Sequence, residues 1–270
     1  MSIGMKKFNY TIAFFAFAVI NLNTSFGQAD TLNLTKGSEA FLLAVIKNDS
    51  KAIEDFKNDF GQLDFEMLVN TLDNDQKKKA FWINIYNAFI IEKLRNDSSL
   101  FENRGDFFSE KNILIAGKKM SFDFIEHGII RRSKVKLSLG FFGKLFPSKM
   151  ERQLRADKLD YRIHFALNCG AKACPPVKVY NAEKIEEQLA ASEEYFVKKV
   201  TEYNKSKNKV VTTALFSWFR GDFGNKRGIR KIIKKHLNIE EKRFDIEFRK
   251  YDWTLDIDNF VDDTKRKNNK

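Results

Sequence analysis

Two cysteines and three histidines supply the thiol and imidazole groups of this 270-residue sequence. Cys169 and Cys174 lie in NCGAKACPP, and the histidines stand at 127, 164 and 236. A cysteine nucleophile needs a base within hydrogen-bond reach and a third group that orients the base. Cys169 could be that nucleophile, with His127 or His164 as base. His164 precedes Cys169 by five residues, so on a strand the two would face opposite sides. A bend at Asn168-Cys169-Gly170 would bring them together, and Gly170 permits one. His127 lies in IEHGIIR, with Arg131 four residues further along the same helical face. Glu126 diverges from its neighbour His127 on a helix and is expected to pair with an arginine elsewhere. Each of these histidines also has a plain structural reading, as a ring satisfied by its surroundings. His236, in KKHLN, reads as a surface residue near a helix end.

The cysteines admit three readings. In an oxidising compartment they could join in a disulfide, closing a small loop worth about 2 kcal/mol in the chain-entropy model. One could instead be a catalytic thiol. They could also contribute to a metal site, but zinc needs more ligands than this pair supplies, and His164 as a third matches no standard spacing. No metal site and no cofactor is assigned.

Asn84 and Asn87, three residues apart, share one face of a helical segment. Asparagine is unfavourable in a helix interior, so two inward amides must find partners. Asn84 could orient a catalytic group or stabilise an oxyanion, with Asn87 beside it in a binding role. A clamp on the backbone of a neighbouring loop is the simpler reading. Glu126, Arg131 and Cys174 complete the candidate binding set. Trp218 and Asp222 in SWFRGDFG, and Tyr251-Asp252-Trp253, form aromatic–acid clusters. Their rings read as core, and their acids could fix a histidine or a loop.

The elements that must position these residues are mostly helical. Apolar spacing over 37–58, broken at Asn48-Asp49-Ser50, predicts two short helices. Asp73-Asn74-Asp75 opens the strongest helix, QKKKAFWINIYNAFIIEKLRND, with Trp82, Tyr86, Phe89 and Ile90 as a core-facing stripe. ILIAGKKMSF reads as a hairpin, and DFIEHGIIRR as a short helix. Residues 133–150, with Gly140, Gly143 and Pro147, read as a loop carrying exposed phenylalanines beside a cleft. RIHFALNCG reads as a buried strand. A helix follows over about 182–204, then a strand in KNKVVTTALF, a helix over 226–237 and a strand in FRKYDWTLDI. The fold class is α+β, a short, mostly antiparallel sheet packed with several helices in a single domain.

The first 27 residues read as a secretion signal. Lys6 and Lys7 precede an apolar run, YTIAFFAFAVINL, that is too short for the roughly 20 residues a spanning helix needs. The expected arrangement is signal peptide 1–27, flexible N-terminus 28–36, globular domain 37–261 and disordered tail 262–270. The protein would then act in the periplasm or outside the cell, with no membrane span once the signal is removed. The formal charge is +12, yet bases and acids alternate along the chain. No nucleic-acid motif is present, and no nucleic-acid partner is expected. The densest basic stretch, KRGIRKIIKK, reads as an amphipathic helix.

Five stretches together resemble the family catalogued as domain of unknown function 547: KKAFWINIYNAFII (78–91), FIEHGIIRR (124–132), RIHFALNCGAKACPPV (162–177), LFSWFRGDFG (215–224) and YDWTLD (251–256). Ala173 departs from the serine of the family's usual SCPP. A looser likeness runs to papain- and transglutaminase-type folds, in which a helix packs on an antiparallel sheet beside Cys, His and an acid or amide. The AFWINIYNAF helix looks like their nucleophile helix, with Asn84 or a neighbour where the thiol would stand. The family resemblance implies no settled activity. The looser likeness, with the Cys, His and Asn residues above, implies a cysteine-dependent hydrolase or acyl-transferase of peptide or amide bonds, acting on peptide-like or cell-envelope material, with Cys169 supplying the thiol. The alternative is a non-catalytic exported binding or structural domain.

Overall fold

Short polar residues set where the helices begin. In a computed structural model, which describes residues 33–261, Asn33, Asp49, Asp64 and Asn74 each accept a hydrogen bond from the backbone N–H three residues on. Each bond satisfies a donor that the helix itself leaves orphaned. These caps open α1 (Leu34–Lys47), α2 (Ser50–Gln62), α3 (Phe65–Thr71) and α4 (Asp75–Asn96). Asn48 ends α1 in the left-handed region (φ 58°), where the predicted break falls. The expected signal peptide and C-terminal tail lie outside the described residues. The flexible N-terminus expected over 28–36 is corrected at its end: Leu34 is buried and already helical.

The chain continues through α5 (Arg104–Ser109), β1 (Ile113–Ile115), β2 (Lys118–Met120), a π-helical turn (Phe124–Ile130) and α6 (Lys149–Leu154). After a 3-10 turn (Tyr161–Phe165) come α7 (Ile185–Val200), β3 (Glu202–Asn204), β4 (Lys209–Thr212), α8 (Leu215–Trp218), α9 (Asn225–Leu237) and β5 (Asp245–Phe248). β1 and β2 form the predicted antiparallel hairpin. β4 pairs antiparallel with β3 and parallel with β5. The fold is α+β, with short sheets among helices.

α4 is the axis of the molecule. The predicted stripe Trp82, Tyr86, Phe89 and Ile90 is buried, but so is most of the rest of the helix. A helix enclosed on all sides has no solvent face to keep polar. Its main neighbours are α1, α7 and the short helical turns at 98–101, 124–130 and 182–184. This departs from the looser likeness, in which such a helix packs on a sheet.

RIHFALNCG does not form the expected strand. Asp160 accepts the Arg162 N–H and starts a 3-10 turn. Asn168 then accepts the Gly170 N–H at 2.7 Å, with Gly170 at φ +86°. Short apolar runs do not by themselves separate strand from helix, and here local side-chain hydrogen bonds decide. Near the C-terminus β5 ends at Phe248, where FRKYDWTLDI begins, so the strand expected there is not formed and the observed strand lies just before it. The stretch 251–256 is irregular and touches the Cys169 region through an isolated bridge, Ala171 to Leu255.

Candidate ligand cleft

A cleft of about 370 Å³ opens where α4, the π-helical turn, residues 164–175, α8 with the loop after it, and residues 251–253 converge. Its walls are largely aromatic: Phe108, Trp218, Phe219, Tyr251 and Trp253. Trp218 and Trp253 stack with ring centres 5.7 Å apart, and Tyr251 packs against both. These rings, read from sequence as core, line a cavity instead.

The π-helical turn builds the polar floor. Arg131 N–H bonds to the Glu126 carbonyl, five residues back, at 2.8 Å. The wider turn brings neighbours together that an α-helix would splay. Glu126 Oε1 lies 3.4 Å from His127 Nδ1, and both residues line the cleft with Asp123. The expectation that Glu126 pairs with a distant arginine is corrected. Its other close group is the Tyr86 hydroxyl, which donates to Oε2 at 3.4 Å. Burial, with the Glu126 charge adding to it, raises Tyr86 far above its ordinary value, so this hydroxyl keeps its proton.

Arg131 is fully buried and central. Its Nε donates to Asp222 Oδ2 at 2.8 Å, and its Nη1 lies 2.8 Å from His127 Nδ1. A guanidinium only donates, so Nδ1 accepts and the ring proton of neutral His127 sits on Nε2. Burial and the Arg131 charge lower His127 to about 3. His127 is therefore a neutral N–H donor beside Asp123, not the base expected from sequence.

His164 is the second buried ring. Its Nε2 lies 2.9 Å from Asp222 Oδ2, and Phe219 stacks on it at 3.8 Å. Burial lowers its pKa against the pull of Asp222. Burial alone would raise Asp222, but the hydrogen bonds and charges of His164 and Arg131 outweigh it and hold the carboxylate below its ordinary range. His164 Nε2 is thus engaged with a carboxylate. Asp222 is the acid that fixes a histidine, one of the two roles considered for it.

Cys169 and Cys174 are joined by a disulfide on the cleft wall. This corrects the reading of Cys169 as a free nucleophile and of the pair as a metal site. The chain does bend at Asn168-Cys169-Gly170, and Cys169 and His164 line the same cleft. The hydrogen-bond partner of Cys169 Sγ is nonetheless the Tyr251 hydroxyl, at 3.5 Å. Tyr251 also donates to Cys174 Sγ at 3.2 Å. Ala173, where serine was expected, donates its backbone N–H to the Asp252 carbonyl.

The asparagines sit elsewhere. Asn84 donates to the Tyr180 carbonyl at 2.7 Å and accepts the Tyr180 N–H at 2.9 Å. Asn87 donates to the Ala166 carbonyl at 3.0 Å and accepts the Asn168 N–H at 2.9 Å. Both are fully buried and neither lines the cleft. The catalytic part considered for Asn84 and the binding part for Asn87 are corrected to backbone clamps. His236 is corrected too: it is buried, with Nε2 2.6 Å from Glu193 Oε1.

Asp123 and Lys136 are cleft residues that the sequence reading did not single out, and Tyr86 reads from sequence only as part of a core-facing stripe. A tyrosine in the core-facing stripe of a helix, needing a partner for its hydroxyl, was the available signal for Tyr86. Among the described residues no group of His, Cys, Asp and Glu is arranged to hold a metal ion.

Residues 69–197 match the family model described as "Protein of unknown function, DUF547". The match takes in α4, the π-helical turn and the disulfide, and ends before the wall formed by Trp218, Phe219 and Tyr251. Neither the curated proteins nor the solved structures contain a match.

Proposed function

We propose that this protein is an exported binding domain whose cleft takes a ligand carrying a cationic amine on an apolar body. One observation carries this reading: Glu126 faces the cleft without a cation of its own. The other charges of the floor pair off. Arg131 holds Asp222 at 2.8 Å, and Lys136 holds Asp123 at 2.7 Å. His127, held near 3, is neutral at physiological pH. One half-buried carboxylate is left over, enclosed by aromatic rings. A cation is drawn to both, to the carboxylate by charge and to the ring faces by their quadrupole. The disulfide supports a place outside the cytoplasm, where such bonds persist.

Calorimetric titration with hexylamine, hexyltrimethylammonium, hexanol and hexanoate tests the reading. The two cations are expected to bind more tightly than hexanol, with hexanoate weakest. Equal binding of hexanol and the cations would sink it.

A hydrolase or acyl-transferase reading has one observation in its favour: reduction would free a thiol on the same wall that His164 lines. It applies only to the reduced protein. Thiol labelling without reductant is expected to give no product, because the described cysteines are both in the bond.

A further inference from the structure

Large apolar side chains exposed to solvent are scattered singly on most proteins and need no explanation. Here they are concentrated. Of the twelve exposed large hydrophobics among the described residues, seven fall between Val135 and Phe146. Four of them are almost bare: Leu137 is 89% exposed, Phe142 71%, Leu145 88% and Phe146 94%. The same stretch carries Arg132, Lys134, Lys136, Lys144 and Lys149, and no acid lies between 132 and 150.

The segment is a fixed projection. Val135 N–H bonds to the Phe142 carbonyl at 3.0 Å and Lys144 N–H to the Ser133 carbonyl at 2.7 Å, with a bridge between Lys134 and Gly143. Its inner side is locked to the cleft floor. Gly221 N–H bonds to the Leu139 carbonyl at 2.7 Å. Gly140 presses on Asp222 so closely that a Cβ there would lie 2.5 Å from Oδ1. Leu145 and Phe146 therefore project with little freedom to fold back and cover themselves.

We propose that residues 133–149 form a membrane-docking hairpin that inserts Leu137, Phe142, Leu145 and Phe146 into the interface of an anionic lipid bilayer. A protein partner would need a groove to receive such a knob. A bilayer interface accepts apolar knobs of any outline, and anionic headgroups complement the bases of this stretch. Of these, Lys136 and Lys144 are ion-paired within the protein, and Arg132, Lys134 and Lys149 are in no salt bridge among the described residues. The inference goes beyond the binding reading and does not depend on it. The two do meet in space: Lys136, Leu137 and Leu139 also line the cleft, so docking would set the cleft mouth at the lipid surface.

Co-sedimentation of the mature protein with vesicles tests this. The protein is expected to bind vesicles of phosphatidylglycerol and phosphatidylcholine far better than phosphatidylcholine alone, and less in 0.5 M salt than in 0.05 M. L145S/F146S changes only exposed positions, so its thermal unfolding should match wild type while its vesicle affinity falls about tenfold or more. Three outcomes would each overturn the proposal. One is no binding to anionic vesicles. Another is equal binding by L145S/F146S. The third is a concentration-dependent dimer, seen by sedimentation and lost in that variant, which would assign the surface to a second copy of the chain.

Discussion

The amides of α4 and the floor of the cleft are both buried polar systems, and they are finished to different degrees. Asn84 and Asn87 each spend donor and acceptor on one short stretch of backbone, around Tyr180 and around residues 166–168. The cleft floor, where Asp123, Glu126, His127 and His164 line the cavity, is also hydrogen-bonded, yet it leaves Glu126 without a cation. A saturated system holds a fold together. An unsaturated one beside a cavity has capacity left for a ligand. Trp82 Nε1, Arg131 Nη2 and Asp222 Oδ1 are buried without a partner among the described residues, but none of these residues lines the cleft, so incompleteness points to a site only where a cavity adjoins it.

Removing one member of the ion network should produce the largest effect. Arg131 and Asp222 have no exposed side-chain surface, and breaking a fully buried pair leaves an uncompensated charge. R131M is expected to cost about 3–5 kcal/mol of unfolding free energy. Adding D222N should recover part of that loss, because the charge goes with its partner. A double variant no more stable than R131M would show that shape rather than charge is what Arg131 supplies.

The clamps come next. N84A or N87A leaves a buried N–H and a buried carbonyl unpaired, which should cost about 2–4 kcal/mol. Neither variant, while folded, should change ligand affinity. A weakened ligand affinity at unchanged stability would erase the distinction between clamp and cleft.

Acid should weaken the floor by linkage. His127 binds its proton near 6.5 in the unfolded chain and near 3 when folded, so the unfolded state holds more protons between those values. Its contribution is complete above about 6.5 and is lost as pH falls. His164, also lowered by burial, acts in the same direction. Denaturant unfolding at pH 7 and pH 5 should differ by on the order of 2 kcal/mol from His127 alone, and H127Q should flatten that slope. The disulfide is worth a similar amount: C169A/C174A is expected to lose about 2 kcal/mol.

How much of this was legible in the sequence follows the range of the forces involved. Caps and apolar spacing act over a few residues, so α1, α2, α4 and the β1–β2 hairpin were readable, as was the α+β class. RIHFALNCG was misread because its conformation is set by Asp160 and Asn168 bonding to nearby backbone, which hydrophobic periodicity does not register. The cleft was legible only as a set of candidates. Cys169, His127, His164, Glu126 and Arg131 were identified, but their roles depended on contacts across long separations. Arg131 meets Asp222 ninety-one residues away, and no local spacing encodes that. The π-helical turn was hidden as well, because its sequence reads as ordinary helix, and it is this turn that sets Glu126 beside His127.

The smallest expected effect on stability is the most informative for function. E126Q keeps the size of the side chain and still accepts from Tyr86. Glu126 has no cation to lose, and on the floor of a cleft it is partly hydrated, so unfolding free energy should change by less than about 1 kcal/mol. Ligand recognition should change sharply if Glu126 is the group that selects a cation. The preference for hexylamine over hexanol should disappear, leaving binding that tracks apolar area alone. A large loss of stability in E126Q would instead place Glu126 with the clamps, as a charge the fold requires. Unchanged stability with an intact amine preference would leave the aromatic walls as the whole of the recognition, and Y251F and W253A would then be the variants that remove it.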